Sequence, residues 1–404
     1  MSDHDLHITL ALVFAAVTLI GARLRRKTLT EVGLLFVLVG LAAGPWGLDI
    51  APSVGSMAWS LGVAALAGWV ALEVGLGMSL RSDGQMPPGA VRAGALYTIM
   101  GVIGLSVVSF GVLEALLTDE LDTTWAYAAI IIAAAGVAAA PGALNGVAKA
   151  HGADGPVRAA GTSLARISRA LAIVVVTIAA AVAEPETTIE GFRALAPTER
   201  ILAELMLGIT LGFCADVFLS KEPDDRRMVT ILLGLSIMAS GLSMHLGLSP
   251  LLVNLLIGSS LANYGHLSAT RHRAAEALEG PCRKLLLVAM GAAWMPPVAP
   301  AVWAVVALLI GARTAMLRIA GGVAGRAFDP DRAGFSVIGF TMVAQGAPAL
   351  AIALLHSHSL SEEVGSVVLT VILLSAIVND LWAPMAARSV LDEAGEIPTS
   401  LVEV

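Results

Sequence analysis

Apolar stretches follow one another along almost the whole chain, most of them about as long as a ~30 Å hydrocarbon core requires, with only short polar joints between them. They lie at roughly 8–24, 30–43, 54–79, 91–117, 125–150, 158–183, 199–219, 228–246, 249–264, 283–296, 299–324, 333–357 and 362–390. Backbone that crosses lipid must satisfy its own hydrogen bonds, and stretches of this length do so as helices. The expected fold class is therefore an all-α polytopic membrane protein with about 13 transmembrane helices. The second, ninth and tenth stretches are short for a full crossing. Of the 404 residues 57% are hydrophobic and 14% charged, against roughly 25% charged in soluble domains. With no long polar segment, no soluble domain is expected. Neither a nucleic-acid partner nor a cofactor is expected, and membrane lipid is the surrounding partner.

Placement of basic residues tests the span order, because cytoplasmic loops collect Lys and Arg. Arg23, Arg25, Arg26 and Lys27 fall in the first joint, and Arg81, Arg92, Lys149, Arg158, Lys221, Arg226 and Arg227 in the third, fifth and seventh. Arg271, Arg273, Arg283, Lys284, Arg326, Arg332 and Arg388 continue the series on the same side. The opposite side holds only Arg193 and Arg200, among acids such as Asp119, Glu120, Asp122, Glu184, Glu186 and Glu190. An external N-terminus and a cytoplasmic C-terminus follow. The acidic start MSDHDLH lacks the basic region of a cleaved signal, so the first stretch is expected to be retained as a span. Cys214 and Cys282 lie in or beside apolar runs without ligand spacing; they read as packing residues, and no metal site is expected.

Four basic residues lie inside spans: Arg166, Arg169, Arg313 and Arg318. Arg169 is deepest in the run RAAGTSLARISRALAIVVVTIAAAVA. An ionised side chain at that depth costs at least about 2.5–3.5 kcal/mol, so it requires a compensating group and marks a candidate functional site. Arg318, nearer the cytoplasmic end, reads as a snorkelling residue. Acids inside spans are few. Glu73 lies toward the cytoplasmic end of the third, Glu114 near the outer surface, and Glu204 and Asp216 toward opposite ends of the seventh. Asp380, in the thirteenth, combines depth with a suggestive position.

Helix-breaking chemistry occurs at mid-depth in two spans. The fifth carries Pro141 and Gly142 in AAAGVAAAPGALNG, and the twelfth Gly346 and Pro348 in TMVAQGAPALAI. Proline removes a donor and clashes with the preceding turn, so each span reads as two half-helices meeting inside the membrane. The two run in opposite directions, seven spans apart, as inverted repeats would require. Residues 1–183 then form a first repeat, 184–227 a linking helix and 228–404 a second, inverted repeat. Interrupted segments at corresponding positions of two halves point to a transporter's binding site. Asp380 follows Pro348 at about the spacing at which Arg169 follows Pro141, which suggests a buried Arg169–Asp380 pair. Arg313 is placed to balance the half-helix ends at the crossing. His356 and His358, at the external end of the twelfth span, read as interfacial residues. Patches such as GLLFVLVGLAAGP and IAGGVAG suit close helix packing, and no phosphate-binding loop is present in context.

Several motifs together resemble the monovalent cation/proton antiporter superfamily, in particular its bacterial sodium/proton and potassium-efflux branch. They are VGLLFVLVGLAAGP, VALEVGLGMSL, the Gln-Gly segment AQGAPALAIAL, and AAAPGALNGVAKAHGADGP followed by VRAAGTSLARISRALAIVV. The resemblance covers most of the chain and implies the antiporter fold, with two crossed broken helices, a scaffold part and a homodimer. It implies exchange of sodium or potassium for protons in a bacterial inner membrane. The helix-break residues of the family fall on Ala139, Ala140 and Pro141, with Gln345, Gly346 and Pro348 at the second break, and Arg313 matches its late basic residue. Its acidic ion-binding pair falls on Ser168 and Arg169. Neither serine nor a permanently protonated arginine can be the carboxylate for which proton and cation compete, so the ion site is degenerate. Two arginines about 6 Å apart at an effective dielectric of about 20 repel by about 3 kcal/mol. Asp380 could neutralise them, an anion could bind between them, or Arg169 could be a tethered replacement for the bound cation. Besides cation/proton exchange, the functions left open are transport of an anion by Arg169 and Arg313 and a non-transporting membrane sensor or subunit.

Overall fold

Glycine-mediated contact between apolar helices sets the architecture. In the computed structural model, which describes residues 31–398 except 46, 52, 54, 80–86, 88, 118–122, 184–194, 220–223, 265–267, 298 and 330–333, all regular structure is helical. The helices are α1 (Glu31–Ala43), α2 (Met57–Leu76), α3 (Ala90–Leu117), α4 (Thr123–Val137), α5 (Gly142–His151), α6 (Pro156–Ala183) and α7 (Pro197–Leu219). They continue as α8 (Asp225–His245), α9 (Pro250–Tyr264), α10 (Ser268–Ala293), α11 (Pro300–Phe328), α12 (Ala347–Ser357) and α13 (Glu362–Glu393), with a 3-10 helix at Phe335–Met342 before α12. The stretches expected from the second to the thirteenth are all occupied by helix; the first lies outside the described residues. Among the described residues, seven helices are long and apolar enough to cross a membrane.

Two packed groups emerge. In the first, α9 lies along α2 and α10 along α1, with α8 beside α2. The second is built on α3, which packs against α4, α6 and α11, and is completed by the 3-10 helix, α12 and α13. Without a hydrophobic force between helices in lipid, close packing carries their association. A Cβ on Gly75 would lie 2.2 Å from the Leu255 carbonyl oxygen, and one on Gly258 2.2 Å from that of Leu72, so α2 and α9 touch backbone to backbone. Gly40 and Gly291 do the same for α1 and α10.

The tenth span differs from its expectation. Read as a short stretch from 283, it is instead the 26-residue α10, beginning at Ser268 with Pro281 inside it. Its first half is polar, yet it is helical; Glu279 at the end of that half and Arg283 one turn on contact the second group.

The two interrupted spans meet as the proline positions predict. Residues 138–141 separate α4 from α5, and residues 343–346 separate the 3-10 helix from α12. The two extended segments run antiparallel, with a bridge between Ala139 and Gln345. Ala140 N–H donates to the Ala344 carbonyl at 2.8 Å and Gly346 N–H to that of Ala138 at 3.5 Å. Peptide groups freed by the breaks thus satisfy one another, as backbone at this depth requires.

Candidate functional site

Half-helix ends at the crossing expose carbonyls that no residue of their own helix can satisfy. Arg313, 4% exposed on α11, meets them. Its Nε donates to the Gly136 carbonyl at 2.8 Å, Nη1 to Val343 at 2.9 Å and Nη2 to Met342 at 3.4 Å. The guanidinium thereby places a positive charge where α4 and the 3-10 helix end with partial negative charge. Gln345, 1% exposed, adds a bond from its Nε2 to the Ala135 carbonyl at 3.2 Å. Beside these groups lies an internal cavity of about 10 Å3, bordered by Ser109, Gly136, Arg313, Gln345 and Ser375. Pro348 stands in the first turn of α12, where its missing N–H costs nothing.

Ser168 and Arg169 sit on α6, one buried fully and the other 3% exposed. Ser168 Oγ donates to the Ala165 carbonyl of its own helix at 3.1 Å, so its hydroxyl is spent locally. Arg169 finds acids. Its Nη1 is 3.5 Å from Glu73 Oε2 on α2 and 3.8 Å from Glu279 Oε1 on α10. Glu73 is as buried as the arginine, its side chain 4% exposed, whereas that of Glu279 is 39% exposed.

The expected Arg169–Asp380 pair does not form. Asp380 accepts a hydrogen bond from Arg283 Nη2, and the same nitrogen reaches toward the Gln345 carbonyl at 3.5 Å. The physical reason is α10: Arg283, at the start of the expected stretch, reaches Asp380, and the turn before it carries Glu279 to Arg169, so each inner charge is matched from the same helix. Nor do Arg169 and Arg313 share a partner, since one is held by carboxylates and the other by carbonyls.

Glu279 escaped the sequence reading because the polar start of α10 resembles a cytoplasmic loop by hydropathy, and Arg283 was read there only as one of the basic residues of that side. Glu73 was visible as an acid within VALEVGLGMSL, and its depth could have flagged it. Among the remaining residues, Arg318 stacks on the Phe340 ring at 5.3 Å. Arg166 borders an open pocket of about 330 Å3 with Asn145, Asp154, Arg158 and Thr162. His356, in the last turn of α12, is buried: its Nδ1 is 2.8 Å from Tyr127 Oη, while Trp59 Nε1 donates to His358 Nε2 at 3.0 Å. Both cysteines are free thiols.

Paired broken helices, crossed inside an all-helical membrane protein and surrounded by buried charge, define the class of secondary transporters. The chain belongs to the sodium/hydrogen exchanger family: the family model described as "Sodium/hydrogen exchanger, transmembrane" matches residues 9–388. It is thus a multi-pass membrane protein of the cation:proton antiporter type, a transporter rather than an enzyme. Its fold is similar to that of the sodium proton antiporter MjNhaP1 from Methanocaldococcus jannaschii, with a TM-score of 0.68 and 14% identity over 96% of this chain and 99% of that one. No curated protein matches the chain.

Proposed function

We propose that the protein exchanges a monovalent cation, sodium or potassium, for protons by alternating access, and that Glu73 is the carboxylate for which they compete. The observation that carries this reading is the Arg169–Glu73 pair, buried on both sides at 3.5 Å. Arg169 occupies the place of a bound cation while remaining attached to the chain. A sodium or potassium ion that reaches Glu73 replaces the guanidinium, and a proton that reaches Glu73 releases it. Arg313 holds the crossing together in either case. The anion reading draws no support from Arg313, whose guanidinium is engaged by three carbonyls.

In this reading the crossing and its supporting helices move against the group formed by α1, α2, α8, α9 and α10, and the ion pairs of Arg169 and Asp380 lie on the surface along which they slide. Residues 1–183 and 228–404 act as inverted repeats joined through α7. The protein sits in a bacterial inner membrane as a homodimer, with its N-terminus outside and its C-terminus in the cytoplasm.

The test is ion-dependent proton flux in proteoliposomes. Glu73→Gln abolishes sodium- or potassium-driven flux, whereas Arg169→Gln keeps it and lowers the apparent KM for the cation, because a competitor has been removed. Flux that survives Glu73→Gln unchanged sinks the assignment. Flux driven only by anion gradients and lost with Arg169→Gln favours an anion transporter.

A further inference from the structure

Displacing Arg169 from Glu73 would strand a guanidinium in a dry interior, and an unpaired buried charge is costly. A cation can enter only if the arginine has somewhere to go. We infer that Glu279 is the carboxylate that receives Arg169 while a cation occupies Glu73, which makes it a positioning residue for exchange. This inference rests on the reading of Glu73 given above.

Three observations support it. One nitrogen, Arg169 Nη1, lies between both acids, at 3.5 Å from Glu73 and 3.8 Å from Glu279. Both separations exceed the ~2.7–2.9 Å of a charge-assisted hydrogen bond, and Nε and Nη1 of Arg169 make no hydrogen bond. The guanidinium is therefore held by attraction rather than by directional bonds, in contrast to Arg313, whose Nε and Nη1 donate at 2.8 and 2.9 Å. Finally, the two acids differ in wetting, with side chains 4% and 39% exposed. Glu279 can keep its charge hydrated when Arg169 leaves it and can share the guanidinium when Arg169 arrives. Its helical neighbour Arg283 is engaged by Asp380, which leaves Glu279 free to serve Arg169.

The experiment compares Glu279→Gln, Glu279→Asp, Arg169→Gln and the Arg169→Gln/Glu279→Gln double variant with the parent. Sodium- and potassium-dependent proton flux is measured in proteoliposomes, and cation-dependent thermal stabilisation in detergent. Without its second acid Arg169 grips Glu73 harder, so Glu279→Gln raises the apparent KM for the cation about fivefold, the scale of a partly exposed ion pair, with kcat little changed. Glu279→Asp recovers part of that loss. In the Arg169→Gln background Glu279→Gln has no further effect, since no guanidinium needs a second place. A parent that exchanges cations while Glu279→Gln matches it, or equal KM shifts in both backgrounds, overturns this inference and leaves the exchange reading standing. A parent that neither transports nor is stabilised by any monovalent cation overturns both.

Discussion

Glu279 and Arg283 stand one helical turn apart on α10 and pair with opposite charges, Glu279 with Arg169 on α6 and Arg283 with Asp380 on α13. One helix thus presents an acid and a base in register with a base and an acid on two others. Such a pattern resists sliding by a turn, because a shifted register would bring like charges together.

The Arg283–Asp380 contact is partly solvated, with side chains 35% and 24% exposed, so its net worth is about 1 kcal/mol. Arg283→Asp should lower the melting temperature more than Arg283→Ala, since it places two carboxylates together. The swap Arg283→Asp/Asp380→Arg should recover most of the difference. Thermal unfolding of the purified protein in detergent reads all of these.

Breaking the buried pair should be far more damaging than removing it. Glu73→Gln alone leaves Arg169 only its longer contact to Glu279, and Arg169→Met removes the base nearest Glu73; each costs about 3 kcal/mol, whereas the double variant approaches the parent's stability. A double-mutant cycle on unfolding midpoints checks this; additive losses would mean that the two side chains do not act as a pair.

Arg313→Lys is not conservative here. A single ammonium cannot reproduce three donations spread over the ends of α4 and the 3-10 helix. A loss of about 3 kcal/mol is expected from carbonyls left without donors, together with loss of transport. Protease sensitivity near 138–141 and 343–346, compared between variant and parent, locates the damage.

At the start of α6 the exposed N–H groups of Val157 and Arg158 donate to the two carboxylate oxygens of Glu396, at 2.7 and 3.1 Å. This cap brings the segment after α13 onto α6 and approaches so closely that a Cβ on Gly155 would meet the Glu396 carboxyl at 2.3 Å. Glu396→Ala should cost about 1 kcal/mol, as loss of a cap does, and speed amide exchange in the first turn of α6.

Much of this was legible in the sequence. Long apolar runs give the helices, and Pro141 with Pro348 gives the two breaks, because proline acts locally and lipid permits few alternatives. Arg313 was legible for the same reason: a deep arginine must find carbonyls or acids. Partner identity was not. Whether Arg169 faces Asp380 or Glu73 depends on how α2, α6, α10 and α13 rotate against each other, and hydropathy carries no information about rotation. Glu279 compounds this, since an acid in a polar helical turn looks, by hydropathy, like a residue of a loop facing water even when it reaches a buried arginine.

The bond between the two breaks has a consequence for biogenesis. Ala140 N–H and the Ala138 carbonyl are satisfied by Ala344 and Gly346, residues synthesised long after α4 and α5 have entered the membrane. Until they arrive, the earlier break has peptide groups that lipid cannot satisfy. The crossing is therefore among the last features to form. A nascent chain stalled before residue 343 should present an unfinished α4–α5 segment to quality-control proteases, however complete its other helices are.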